Sequence, residues 1–258
     1  MLVDIQDIER FVLILIRVTA ALAVMPIFGQ QGLPNVLKIG LGFLIAHLLS
    51  GVVSLSVPAP SGATIEIFLL AVKETVCGLL IGYATQAVFY AVDFGGAILG
   101  YQTGFSIVAS IDPMTQNQNA VLQRIQYISA MLIFLTIDGH HLFLSGLARS
   151  FETIPLGGIH LDSSLLAWTV GIAAGISEAA IMLAAPIMVA LLLTDIGLGV
   201  LARVAPQMNI FVVGFPLKVA IVLLLLSSGM TAFGRLFLGH FAEFRQSFFA
   251  LLKLLAPA

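Results

Sequence analysis

Long apolar stretches broken by short polar punctuation organise this chain. Residues 179–194 and 219–234 contain no Asp, Glu, Lys or Arg. Runs of that length without period-two alternation predict helices rather than barrel strands. The punctuation sets the boundaries: Pro26, Gly29, Gly32 and Pro34, then the Pro58-Ala59-Pro60-Ser61-Gly62 cluster, then Asp112-Pro113 with its Gln/Asn tail, then Pro155, Gly157 and Gly158. Helices are predicted at 5–27, 36–57, 64–92, 94–110, 121–148, 164–203 and 209–250, the last two broken.

Composition turns this pattern into a class. The chain is 60% hydrophobic and 9% charged, with a mean hydropathy of +1.10, whereas soluble domains carry roughly a quarter charged residues. A backbone in lipid must satisfy its own hydrogen bonds. The expected fold is therefore all-α: an integral membrane helical protein of kinked or broken helical hairpins, in one domain over residues 1–258. Net charge is −2 without a basic cluster, which excludes nucleic acid as an expected partner. The single Cys77 excludes an internal disulfide framework. Asp4, Asp7 and Glu9 stand where a signal peptide would be basic, and suit the positive end of a helix dipole.

Arg17, Lys73, Glu74, Asp93, Asp138, Glu178 and Lys218 lie within or at the margins of apolar segments. A charge at the bilayer centre costs about 2.5–3.5 kcal/mol, and such groups face protein or water. Many of these helices are thus expected to contact protein rather than lipid. Lys and Arg are spread over almost every loop, so the positive-inside rule assigns no orientation.

Candidate chemistry is sparse. Gly197-Leu198-Gly199-Val200-Leu201-Ala202 fits the dinucleotide fingerprint, but it lacks the preceding strand and the later acid that the motif needs. His140 and His141 are adjacent, hence about 100° apart around a helix, which argues against ligation from one face; no metal site is expected. There is no nucleophile elbow and no paired carboxylates, so no catalytic residue, cofactor or enzymatic activity is expected. Gly96, Gly100 and Gly104 recur every four residues, and Gly78/Gly82 and Gly171/Gly175 repeat the spacing; such stripes let helix backbones approach closely. The segment 105–119 starts apolar (Phe105, Ile107, Val108, Ile111) and turns at Asp112-Pro113. It reads either as an exposed loop or as a re-entrant lining of a water-filled path. Finally, residues 195–218 set cations, prolines and amides between two charge-free segments.

That last stretch carries a resemblance. Arg203-Val204-Ala205-Pro206-Gln207-Met208-Asn209-Ile210-Phe211 followed by Gly214-Phe215-Pro216-Leu217-Lys218 closely resembles the motif of the FliR/SctT family of type III secretion export-gate proteins, and most of all its flagellar branch. Arg17, Met25-Pro26-Ile27-Phe28-Gly29, Pro34, Lys38, Glu74, Gly78, Gly82, Gly96, Gly104, Asp112-Pro113, Gly139-His140-His141 and Ala185-Pro186 follow the family order. The resemblance implies a subunit of a multi-subunit helical export gate in the bacterial inner membrane, at the flagellar basal body. The implied partners are FliP-type and FliQ-type subunits, a FlhB-type switch protein, unfolded protein substrates and membrane lipid. It further implies a pore plug, which position places at Phe105, Ser106, Ile107, Val108, Ile111, Asp112, Pro113 and Met114. Arg203, Pro206, Gln207, Asn209, Phe211, Gly214, Pro216 and Lys218 are expected to form an assembly loop, with Gly96, Gly100 and Gly104 packing helices. The rival class is a small-solute secondary transporter or channel. It calls for an inverted repeat, and the one internal echo, residues 28–38 against 211–218, slips in register.

Overall fold

The computed structural model describes residues 5–28, 34–52, 64–104 and 120–257. Among these residues there are seven helices and no strand: α1 Ile5–Val24, α2 Asn35–Val52, α3 Thr64–Thr103, α4 Ala120–Thr136, α5 Gly139–Thr153, α6 Ser163–Val204 and α7 Ile210–Leu254. The protein is thus the all-α membrane type that its patterning predicts.

Helix ends follow local chemistry. Glu66 lies in the first turn of α3, where a carboxylate complements the dipole. That helix runs 40 residues and stops at Gly104, whose φ of +91° is the left-handed conformation glycine supplies after a helix C-terminus. Asp162 caps α6, its Oδ1 accepting from the N–H groups of Ser164 (2.9 Å) and Leu165 (3.3 Å). Asn209 does the same for α7, accepting from Phe211 N–H at 3.1 Å.

Four places differ from expectation. Asp93 lies inside α3 rather than between two helices; its carboxylate receives a hydrogen bond from Gln123, and no proline or turn cluster interrupts the run there. The predicted helix 121–148 is instead broken at Ile137-Asp138, where Asp138 adopts φ 55° and ψ 31°. Conversely, α6 and α7 continue through Pro186 and Pro216. A proline inside a helix removes one backbone bond and crowds the previous turn, but neighbouring turns hold each helix together. With 42 and 45 residues, each extends about 60 Å at 1.5 Å per residue, twice the roughly 30 Å hydrocarbon thickness. These two helices are long and apolar enough to cross a membrane, and α4 with α5 adds a third span if the bent pair is one crossing.

The chain divides into two compact units, with boundaries inside α3, α4, α6 and α7. The first comprises Met1–Ala87, Leu135–Ala173 and Glu243–Ala258. Here α1 packs on α2 and lies against α3 at Gly78 and Gly82, where any side chain would collide with the carbonyls of Arg17 and Ala21. Phe248 fills the space over Gly146, and Trp168 Nε1 donates to Ser247 O at 3.0 Å. The second unit comprises Val88–Phe134 and Ala174–Ala242. Its core joins Leu99, Leu122, Ile187, Leu191, Val222 and Leu226, and beside them Phe89 makes edge contacts with Phe134 and Phe237 at 5.2 and 6.0 Å.

Candidate functional site

Two polar constellations sit in otherwise apolar surroundings, one in each unit. In the second unit, α6 ends at Val204 and α7 begins at Ile210, so the expected assembly loop is a five-residue turn flanked by helix. Arg203 belongs to the last turn of α6. Phe211, Gly214, Pro216 and Lys218 belong to α7, and this corrects the loop reading. Pro206, Gln207 and Asn209 occupy the turn, and all three are exposed, as is Arg203. The turn closes on itself through Met208 N–H to Ala205 O at 3.1 Å and through the Asn209 cap.

Lys218 is the polar centre of this region. Its Nζ contacts Asp195 Oδ1 at 2.5 Å and donates to the backbone carbonyl of Gln102 at 3.1 Å. One ammonium therefore joins α3, α6 and α7. The lysine side chain is 16% exposed and the aspartate 48%, so the pair is half-solvated. It forms part of the wall of an apolar cavity of about 530 Å³, along with Gly104, Leu198, Phe211 and Phe215. Gly214 is buried because α6 passes close to it: a Cβ there would come within 2.9 Å of a Leu198 methyl.

The cavity wall includes Thr103 and Gly104, the last described residues before position 120. The expected plug residues, Phe105, Ser106, Ile107, Val108, Ile111, Asp112, Pro113 and Met114, lie outside the described residues. The glycine stripe that precedes them divides in role. Gly96 packs on α4, where a Cβ would meet the Gln123 Cα at 2.6 Å. Gly100 is buried. Gly104 serves backbone conformation instead, since a side chain would meet just a Phe215 carbon, at 3.8 Å, whereas φ is +91°. Gly95, outside the stripe, takes a close approach of its own, a Cβ there coming within 2.9 Å of Ala180 O. Gly171 has open space around it among the described residues.

The first unit holds the constellation that sequence reasoning saw as separate charges. Arg17 Nε contacts Glu74 Oε2 at 2.5 Å, with the two side chains 0% and 2% exposed, and Nη2 adds a second bond to Oε1 at 3.1 Å. The other guanidinium hydrogens go to the end of α5: Nη1 donates to Ser150 O (3.3 Å) and Ile154 O (3.0 Å), and Nη2 to Pro155 O (3.4 Å). The Phe151 ring lies 4.4 Å from the guanidinium carbon, a cation–π contact. Glu74 in turn accepts from Gly157 N–H at 2.6 Å. Every partner is internal, so this knot fastens the fold and offers nothing to a ligand. Two opposite lone charges in apolar helices were the available signal; their separation of 57 residues hid the match.

A third group corrects a geometric premise. Asp138, His140 and His141 each offer one ligating atom, and these atoms lie within 4.8 Å of one another. The histidine rings, expected to diverge, have centroids 4.2 Å apart. Both occupy the first turn after a helix break, where side chains are free to swing together.

Residues 8–244 match the bacterial export proteins, family 1. The flagellar biosynthetic protein FliR of Escherichia coli (strain K12) is 34% identical over 218 residues, covering 84% of this chain and 82% of that protein. Its counterpart from Bacillus subtilis (strain 168) is 33% identical over 221 residues, 84% of each chain. The one from Aquifex aeolicus (strain VF5) is 24% identical over 244 residues, covering 93% and 94%.

Proposed function

This chain belongs to the bacterial export proteins, family 1, and on that premise we propose that it is a gate subunit of the flagellar export apparatus. With FliP-type and FliQ-type subunits it forms the entry pore for unfolded flagellar substrates, in the inner membrane at the basal body, next to a FlhB-type switch protein. Its curated relatives are named for flagellar biosynthesis, which supports the flagellar assignment over other export systems.

The observation that carries the reading is the mismatch between where charge and apolar surface lie. Arg17 and Glu74 are sealed inside, while Val36 is 80% exposed, Phe68 66%, Val204 78% and Phe211 75%. Contiguous exposed apolar surface marks contact with protein or membrane. Val36 and Phe68 belong to α2 and α3, neither of which, in its described residues, is long and apolar enough to count as a span. Exposed apolar side chains on helices that do not pass as spans by length and composition favour neighbouring subunits as their cover.

Co-expression with FliP-type and FliQ-type proteins and recovery through this chain tests the assembly. All three at a fixed ratio is the expected result. Recovery of this chain without either partner after co-expression overturns it. Gating is tested in the same complex by deleting residues 107–114: the assembly should form and leak ions, and unchanged conductance sinks the plug assignment. Substituting Pro206 together with Lys218 should lower recovery of the complex.

A further inference from the structure

The break between α4 and α5 carries chemistry that the export role does not use. An aspartate at a helix start ordinarily accepts a backbone N–H of the first turn. Asp138 occupies that place with a left-handed backbone and makes no such side-chain bond, while its backbone carbonyl accepts from His141 N–H (3.0 Å) and Leu142 N–H (3.4 Å) as at any helix start. The carboxylate is left to face the imidazole of His141, with Oδ1 3.5 Å from Nδ1. Next to it, His140 Nδ1 is shut away from water and has no hydrogen-bond partner, an arrangement that costs free energy when nothing fills it. A capping residue that does not cap and a shielded nitrogen without a partner are two separate shortfalls at one spot.

We propose that Asp138, His140 and His141 bind a divalent first-row transition cation of the zinc type. Two imidazoles and one carboxylate are the borderline donor set that suits zinc, nickel or copper, whereas magnesium and calcium require oxygen-rich shells. Ligand atoms about 2.0–2.2 Å from a tetrahedral zinc lie roughly 3.5 Å apart, so the present 4.8 Å envelope closes with small side-chain rotations. Asp138 and His141 are exposed, which gives the ion a path in and leaves a position for water. Ligation would tie the left-handed Asp138 to the first turn of α5 and stiffen the break.

The test uses the full chain in detergent, without a histidine tag, titrated with zinc chloride by calorimetry and then with magnesium chloride. One saturable zinc per chain and no magnesium uptake are expected. The double substitution Asp138→Asn and His141→Gln should lower zinc affinity at least about tenfold, since even outer-shell changes cost 10–100-fold. His160→Gln, at an exposed histidine elsewhere, should change nothing. Both ligand positions tolerate polar replacement in solvent, and an unaltered far-UV circular dichroism spectrum of the double variant separates lost ligation from lost folding. Undiminished zinc affinity in that variant, or no saturable uptake by the unaltered chain, overturns the site.

Discussion

The two buried-charge regions solve one problem in opposite ways. Arg17 and Glu74 are enclosed on every side, and each polar atom of the guanidinium has a partner within the chain. Lys218 and Asp195 meet at the same 2.5 Å distance, yet half of the aspartate stays in solvent and the pair borders an apolar cavity. A sealed pair repays its desolvation just when all its hydrogen bonds are made, and breaking it strands a charge. A half-solvated pair contributes less to stability than a sealed one. The first region therefore behaves as a fastening, and the second has the freedom that a moving part or a subunit contact needs.

The sharpest way to break this contrast is Glu74→Gln. It leaves the Arg17 guanidinium buried without its counter-charge, at a cost of about 3–5 kcal/mol. Thermal unfolding of the purified chain should then drop steeply or recovery should fail. Replacing both partners with apolar residues, Arg17→Met with Glu74→Leu, should restore part of the loss, because well-packed apolar substitutes for a buried pair are often neutral. A single substitution as mild as the double one would mean that the knot holds nothing.

The fastening was half legible in the sequence. Gly78 and Gly82 announced a close helix approach, and Arg17 and Glu74 announced charges needing protein around them. Their pairing depends on the register of α1 against α3, which one chain of apolar residues does not encode locally. The helix break at Asp138 had a local signal that the apolar run around it masked: Asp138-Gly139 is a turn dipeptide, set in a stretch whose hydrophobicity reads as one helix. The reverse error came from Pro186 and Pro216, whose local cost is outweighed by long-range packing of α6 and α7. The Arg203–Lys218 stretch identified the family, although its residues divide between two helices and a turn.

A second pair of substitutions weighs packing in the same fastening. Gly78→Ala should destabilise the chain by about 1–3 kcal/mol, the usual effect of forcing extra atoms into a packed contact, because α1 backbone occupies the space. Gly171→Ala should be neutral or stabilise by roughly 0.5–1 kcal/mol through backbone entropy, since nothing lies within 4 Å of it. Equal melting temperatures for the two variants would show that the α1–α3 approach tolerates a methyl group. If Gly171→Ala instead lowers recovery of the export complex while leaving the isolated chain stable, that open glycine face is a subunit contact.

Lys218→Met probes the half-solvated region. The isolated chain should lose about 1 kcal/mol or less, the range of exposed ion pairs, while assembly or ion leakage of the complex changes measurably. A large loss of stability would place Lys218 with Arg17 as a fastening and erase the contrast.

Asp162 extends the series to a fully exposed carboxylate, and pH is the way to read it. The Ser164 hydroxyl, first, and then the backbone N–H groups of Ser164 and Leu165 donate to it and hold its carboxyl below the usual aspartate range. A folded value below the unfolded one, near 3.9, means that the unfolded chain binds the proton more readily. The contribution is therefore whole above the unfolded value and disappears as pH falls through the folded one. Asp162→Asn should remove that part of the acid dependence while leaving melting near neutral pH almost unchanged, because an asparagine caps a helix nearly as well. Solvent screening keeps the effect the smallest of the four. An acid dependence unaltered by Asp162→Asn would assign it to the other carboxylates, and the graded series would then rest on Glu74 and Asp195 alone.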